Sequence, residues 1–151
     1  MVKPKIAVAC DHRGFSMKNT LVQYLKNKNF DVIDCGTDSE ESCDYPDYIF
    51  AAAEKVAKKE CHRAIGICHT GIGSAIAANK VHGVRAALAQ NIEQARLSRA
   101  HNDSNMLILG SGFLPQSMLL PLVDAWLNTS FDRGRHENRV NKIKAYEQKH
   151  H

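Results

Sequence analysis

At 151 residues, with 44% hydrophobic and 24% charged side chains, the chain has the make-up of a soluble globular protein with one core. Its formal charge of +4 is mild, part of it lies in the tail from Lys142 to Lys149, and no basic run interleaves with aromatics, so nucleic-acid binding is disfavoured. No apolar stretch nears the roughly 20 residues needed to cross a bilayer, and five cysteines without a compact spacing argue against a disulfide framework.

The start, Met1-Val2-Lys3-Pro4, has no signal-like apolar region, so a cytoplasmic protein with reduced thiols is expected. Ile6–Cys10 reads as a first strand, followed by a helix whose face carries Phe15, Val22 and Leu25. Asp31–Asp34 is a second strand. Ile49, Ala52, Ala53, Val56 and Ala57 then fall at i, i+3, i+4, i+7 and i+8, one face of a helix. Ala64–Cys68 is a third strand, ending in a loop with Gly71 and Gly73 and a small-residue helix over Ser74–Asn79. Val84–Ala89 and Met106–Leu109 complete the strands. Leu119, Leu122, Val123, Trp126 and Leu127 repeat the helical spacing, and a last helix spans about 135–149. Continuous apolar strands alternating with helices predict one doubly wound, Rossmann-like α/β domain over residues 1–151: five parallel strands with helices on both faces.

Such sheets bind ligands outside the carboxyl ends of their strands. After the first strand come Asp11-His12-Arg13-Gly14, and after the second Gly36-Thr37 and then Asp44-Tyr45-Pro46-Asp47-Tyr48. After the third come Cys68-His69-Thr70-Gly71-Ile72-Gly73; near the fifth lie His101-Asn102-Asp103 and Gly110-Ser111-Gly112. Polar residues and glycines are thus expected on one sheet edge. A strand, a glycine loop and a helix start present free N–H groups and a positive dipole end to an anion. The same field favours the thiolate of a cysteine placed there. Cys68 is therefore either a reactive thiol or a buried core one, while Cys10, Cys35, Cys43 and Cys61 read as structural.

Nucleotide signatures fail. Gly66 and Gly71 have P-loop spacing, but Ile72-Gly73 stand where Lys and Ser/Thr should follow, and Ile76 takes the third glycine place of a dinucleotide fingerprint. No cysteine pair has zinc-finger spacing, so no metal is expected. His12, His101 and His136 each neighbour polar residues at element ends, and Arg135 and Arg139 sit at i and i+4, able to clamp a phosphate or simply face solvent.

Six segments together resemble the ribose-5-phosphate isomerase B family, which includes galactose-6-phosphate isomerase subunits. They are Cys10-Asp11-His12-Arg13-Gly14-Phe15, Asp44 to Tyr48, Ile67 to Gly73, Ile76-Ala77-Ala78-Asn79-Lys80-Val81, Leu97-Ser98-Arg99-Ala100-His101-Asn102-Asp103 and Gly134-Arg135-His136-x-x-Arg139. The resemblance implies an aldose–ketose isomerase acting on a phosphorylated sugar through an enediolate, without metal or organic cofactor. It implies Cys68 as the base, since the glutamate of other members is replaced by Ser74. Thr70 and His101, with Asp11 nearby, match the ring-opening residues, and Asn102 a sugar contact. His12, Arg135 and Arg139 match the phosphate ligands, and Tyr45, His69, Gly71 and Gly73 fall on the substrate-binding side. A homodimer or homotetramer with sites shared between subunits is implied as well.

Two positions depart from the family pattern. His69 stands where glycine is usual, and is strained by roughly 1–2 kcal/mol if that position needs a positive φ. Gly112 stands where many members carry a phosphate-binding arginine, for which Arg133 is a candidate replacement. The leading expectation is ribose 5-phosphate/ribulose 5-phosphate interconversion. The alternatives are another sugar phosphate (allose or galactose 6-phosphate, or a tetrulose phosphate) and a non-catalytic phosphosugar-binding protein.

Overall fold

The computed structural model describes residues 3–150; Met1, Val2 and His151 lie outside them. The strands are β1 (Lys5–Cys10), β2 (Asp31–Asp34), β3 (Arg63–Cys68), β4 (Ala86–Leu88) and β5 (Met106–Gly110). The helices are α1 (Phe15–Asn27), α2 (Tyr45–Ala57), α3 (Ile72–Ala78), α4 (Ile92–Asn102), α5 (Leu119–Asn128) and α6 (Arg135–Lys149), with short 3-10 turns over His12–Gly14 and Gln116–Met118. All pairings are parallel, in the order β2-β1-β3-β5-β4. No described helix is long and apolar enough to cross a membrane.

Alternation along each strand divides the core into two layers. Ile6, Val8, Ile65, Ile67, Leu107 and Leu109 face one way, onto Leu21 and Leu25 of α1, Ala95 of α4 and Leu122 and Trp126 of α5. Ala7, Ala9, Ala64, Met106 and Ile108 face the other, onto Ile49, Ala52, Ala53 and Val56 of α2 and Ala77 and Ala78 of α3. Helices thus cover both faces, as the continuous apolar strands require.

The differences from expectation are local. The fourth strand contracts from Val84–Ala89 to Ala86–Leu88, because Val84 and Arg85 enter from a turn whose amides bond to Val81 and Asn105. The glycine-loop helix begins earlier than Ser74, at Ile72, because Gly71 takes φ +79° and serves as its N-cap. Helix α4, with its buried side made of Ala95, Ser98, Arg99 and Ala100, carries no apolar stripe for periodicity to detect.

Candidate active site

Strand order reverses between β1 and β3, and the crevice at their carboxyl ends is where a parallel sheet takes a ligand. The Asp11 N–H donates to the Ile67 carbonyl at 3.3 Å, tying the two strand ends together. Its carboxylate, 5% exposed, accepts the Arg13 N–H at 2.9 Å and caps the turn that carries His12. The Cys43 N–H donates to His12 Nδ1 at 3.2 Å, so the neutral ring keeps its proton on Nε2.

Cys68 ends β3 and is 5% exposed. Beyond it the Thr70 hydroxyl accepts the Ile72 N–H at 3.1 Å, satisfying one donor of the first α3 turn. The Gly73 and Ser74 N–H groups lie in that turn, beyond reach of any carbonyl within the helix. Ser74 is fully buried and its hydroxyl has no hydrogen-bond partner. Tyr45, the first residue of α2, packs against Gly73: a Cβ there would overlap the phenol, 2.8 Å from its Cε1. Asp11, His12, Tyr45, Cys68, His69, Thr70, Gly71 and Gly73 therefore gather at one edge.

The other candidates do not join them within one chain. The sequence places His101-Asn102-Asp103 on the same sheet edge as Cys68; α4 instead runs back along the sheet and leaves His101 and Asn102 ahead of β5, at the amino edge. Cys68 pairs with Gly110, and Met106 lies four residues below it, so the two halves are separated by roughly 13 Å of strand before His101 is reached. His101 stacks on His136, ring centroids 4.1 Å apart and 13° from parallel, and the Asp132 N–H donates to the Ala100 carbonyl. Arg133 (φ +62°) and Gly134 (φ +55°) turn the chain into α6, which carries the exposed Arg135 and Arg139. Neither of these arginines pairs with a carboxylate among the described residues, whereas Arg133 Nη1 bonds Glu137 at 2.7 Å.

His69 is not among the positive-φ residues, so the strain considered for it is absent; among the described residues the left-handed non-glycine positions are Asn29, Lys59, Asp103 and Arg133. Burial pushes the Cys10 thiol up to about 11 and raises those of Cys35 and Cys61, disfavouring their thiolates. His136 is lowered, first by burial and then by the neighbouring His101, Arg135 and Arg139. His101, Asp132 and His136 bring three ligand atoms within 4.8 Å of one another. Their two rings are stacked, however, and in-plane lone pairs on near-parallel rings do not converge on one ion. Asp132 carries no signal in the sequence, since only the folded turn brings it to the two histidines. Nor does Cys43, whose contact with His12 runs through its backbone.

The chain matches the Ribose/Galactose Isomerase family over residues 6–143. It is 45% identical over 145 residues to ribose-5-phosphate isomerase B of Escherichia coli (strain K12), covering 96% of this chain and 97% of that one. Its fold superposes on ribose-5-phosphate isomerase B of Clostridium thermocellum with a TM-score of 0.95 at 46% identity, covering 97% and 99% of the two chains. The Mycoplasma genitalium enzyme of that name, with bound ribulose-5-phosphate, gives 0.94 at 40% identity, covering 98% and 99%. With shared sequence over nearly its whole length and a shared fold, the chain belongs to the Ribose/Galactose Isomerase family.

Proposed function

We propose that the chain interconverts ribose 5-phosphate and ribulose 5-phosphate by proton transfer between C1 and C2, with no cofactor. The observation that carries this reading is Cys68, held at the end of β3, with the three-residue loop His69-Thr70-Gly71 leading from it to the free N–H groups of the first α3 turn. The Cys68 thiolate takes the C2 proton of the open-chain aldose. The C2–H pair becomes the C1=C2 bond, and the carbonyl pair moves onto O1, where the Gly73 and Ser74 N–H groups offset its charge. The O2 proton then passes to O1, the C2 carbonyl forms, and the Cys68 thiol returns its proton to C1.

Ring opening needs a proton moved from the anomeric hydroxyl to the ring oxygen. In this reading Thr70 and Asp11 serve ring opening from the Cys68 side, and His101 and Asn102 from the opposite edge. A second copy of the chain, related by a two-fold axis, brings the His101, Asn102, Arg135 and Arg139 edge over the Cys68 edge and completes two sites. His12, Arg135 and Arg139 then face the phosphate. Five free cysteines fit a reduced, cytoplasmic setting.

Ribose 5-phosphate turnover, measured with and without chelator, tests the reading. Cys68→Ala should lower kcat by about a thousandfold while ligand binding survives; near-normal kcat would remove Cys68 as the base. His69 and Gly112 favour one second reading, a different sugar phosphate. Comparing kcat/KM for ribose 5-phosphate with allose and galactose 6-phosphates and a tetrulose phosphate decides between them.

A further inference from the structure

The His69 imidazole fills the space above Gly112: a Cβ at 112 would overlap the ring, 2.5 Å from Nδ1 and 2.9 Å from Nε2. Arg13 Nη2 bonds the same ring at Nδ1, 3.1 Å away, and Phe113 lies tilted against it with 5.8 Å between centroids. The Gly112 N–H donates to the His69 carbonyl at 2.9 Å, and the Ser111 hydroxyl to the Arg13 carbonyl at 2.9 Å. One imidazole thus ties together the turn after β1, the loop after β3 and the loop after β5.

A guanidinium has no acceptor, so Arg13 donates, Nδ1 accepts, and the neutral ring carries its proton on Nε2. Arg13 pairs with no carboxylate among the described residues. With His69, Ser111, Gly112 and Gln116 it lines a cleft of about 290 Å³ at the carboxyl edge, next along the chain from His12. A planar fork of N–H donors beside an imidazole N–H, with uncompensated charge, suits a phosphate oxyanion. A ring at 69 and a side chain at 112 exclude each other, so a cation for this cleft has to come from elsewhere. Arg133, the candidate from sequence, is ion-paired with Glu137 beside α6.

We propose that Arg13, aimed by His69 across the bare Gly112, anchors the phosphate of the substrate. This rests on the sugar-phosphate reading above. Its test is inorganic phosphate binding by calorimetry, alongside KM for ribose 5-phosphate. Arg13→Gln should weaken phosphate binding and raise KM by about tenfold or more, with a smaller change in kcat. Unchanged phosphate affinity overturns the proposal.

The pair His69→Gly/Gly112→Arg removes the ring and supplies a cation from 112. In that background Arg13→Gln should cost less than about twofold, because the anchor has moved. An undiminished cost would show that His69 does not aim Arg13. If the unmodified protein fails to isomerise ribose 5-phosphate while its phosphate binding still depends on Arg13, the activity reading falls and the anchor stands.

Discussion

The separation of Cys68 and His101 makes a quantitative test of the shared site possible. Cys68 lies level with Gly110 on β5, and Met106 lies four residues lower, level with Ala64. That span alone is roughly 13 Å, and His101 lies further back at the end of α4, so one chain cannot set both residues on a single small sugar. In a two-fold dimer each site takes its thiol from one chain and its His101 from the other. A dimer mixed from Cys68→Ala and His101→Asn chains then has one doubly defective site and one intact site. Random pairing makes half of all dimers mixed, so co-refolding equal amounts should restore about a quarter of the unmodified activity. Each parent alone should keep about 1% or less, the loss expected for a missing proton-transfer group. The assay is ribose 5-phosphate turnover after co-refolding, with a Cys68→Ala and Cys68→Ser mixture as the control that must not recover. Activity no higher than the sum of the parents would refute the shared site.

Three further changes probe the supporting structure. Gly73→Ala pushes a methyl into the Tyr45 ring and should cost about 1–3 kcal/mol in urea unfolding, relieved when Tyr45 is also Ala; an additive double variant would mean that no such clash exists. Arg133→Gly removes a left-handed penalty of about 1 kcal/mol against an exposed ion pair worth about 0–1, so stability should hold or rise slightly. A loss beyond about 1 kcal/mol would contradict this balance. His136 is held below its ordinary value of 6.5, so the unfolded chain binds more protons there. Its contribution is complete above that pH and fades as pH falls through and below it. His136→Asn should flatten this acid limb in unfolding scans, and an unchanged slope would assign the effect elsewhere.

The apolar runs made the sheet readable: Ile6–Cys10, Asp31–Asp34 and Ala64–Cys68 differ from the observed strands by at most a residue. Periodicity failed where burial uses small and polar side chains. Helix α4 packs Ala95, Ser98, Arg99 and Ala100 inward, and Arg99 satisfies itself on the Thr129 and Ser104 carbonyls and Asp103. Without that helix, sequence order alone puts His101 and Asn102 on the same edge as Cys68. The exchange at His69 and Gly112 was visible only as two odd residues 43 positions apart. Their contact depends on the ends of β3 and β5 lying side by side, which the sequence order conceals.

The order β2-β1-β3-β5-β4 also governs how the chain can be made. β5 is the last strand in the chain yet lies between β3 and β4, so β4 has no strand partner until residue 110 has left the ribosome. During synthesis β1, β2 and β3 can pair early, but β3 keeps an open hydrogen-bonding edge throughout that interval. A chain halted before Met106 would expose that edge together with the unmatched β4, a template for self-association. Late arrival of a central strand thus gives a nascent chain of this fold a defined window of vulnerability, closed in one step when Met106–Gly110 inserts.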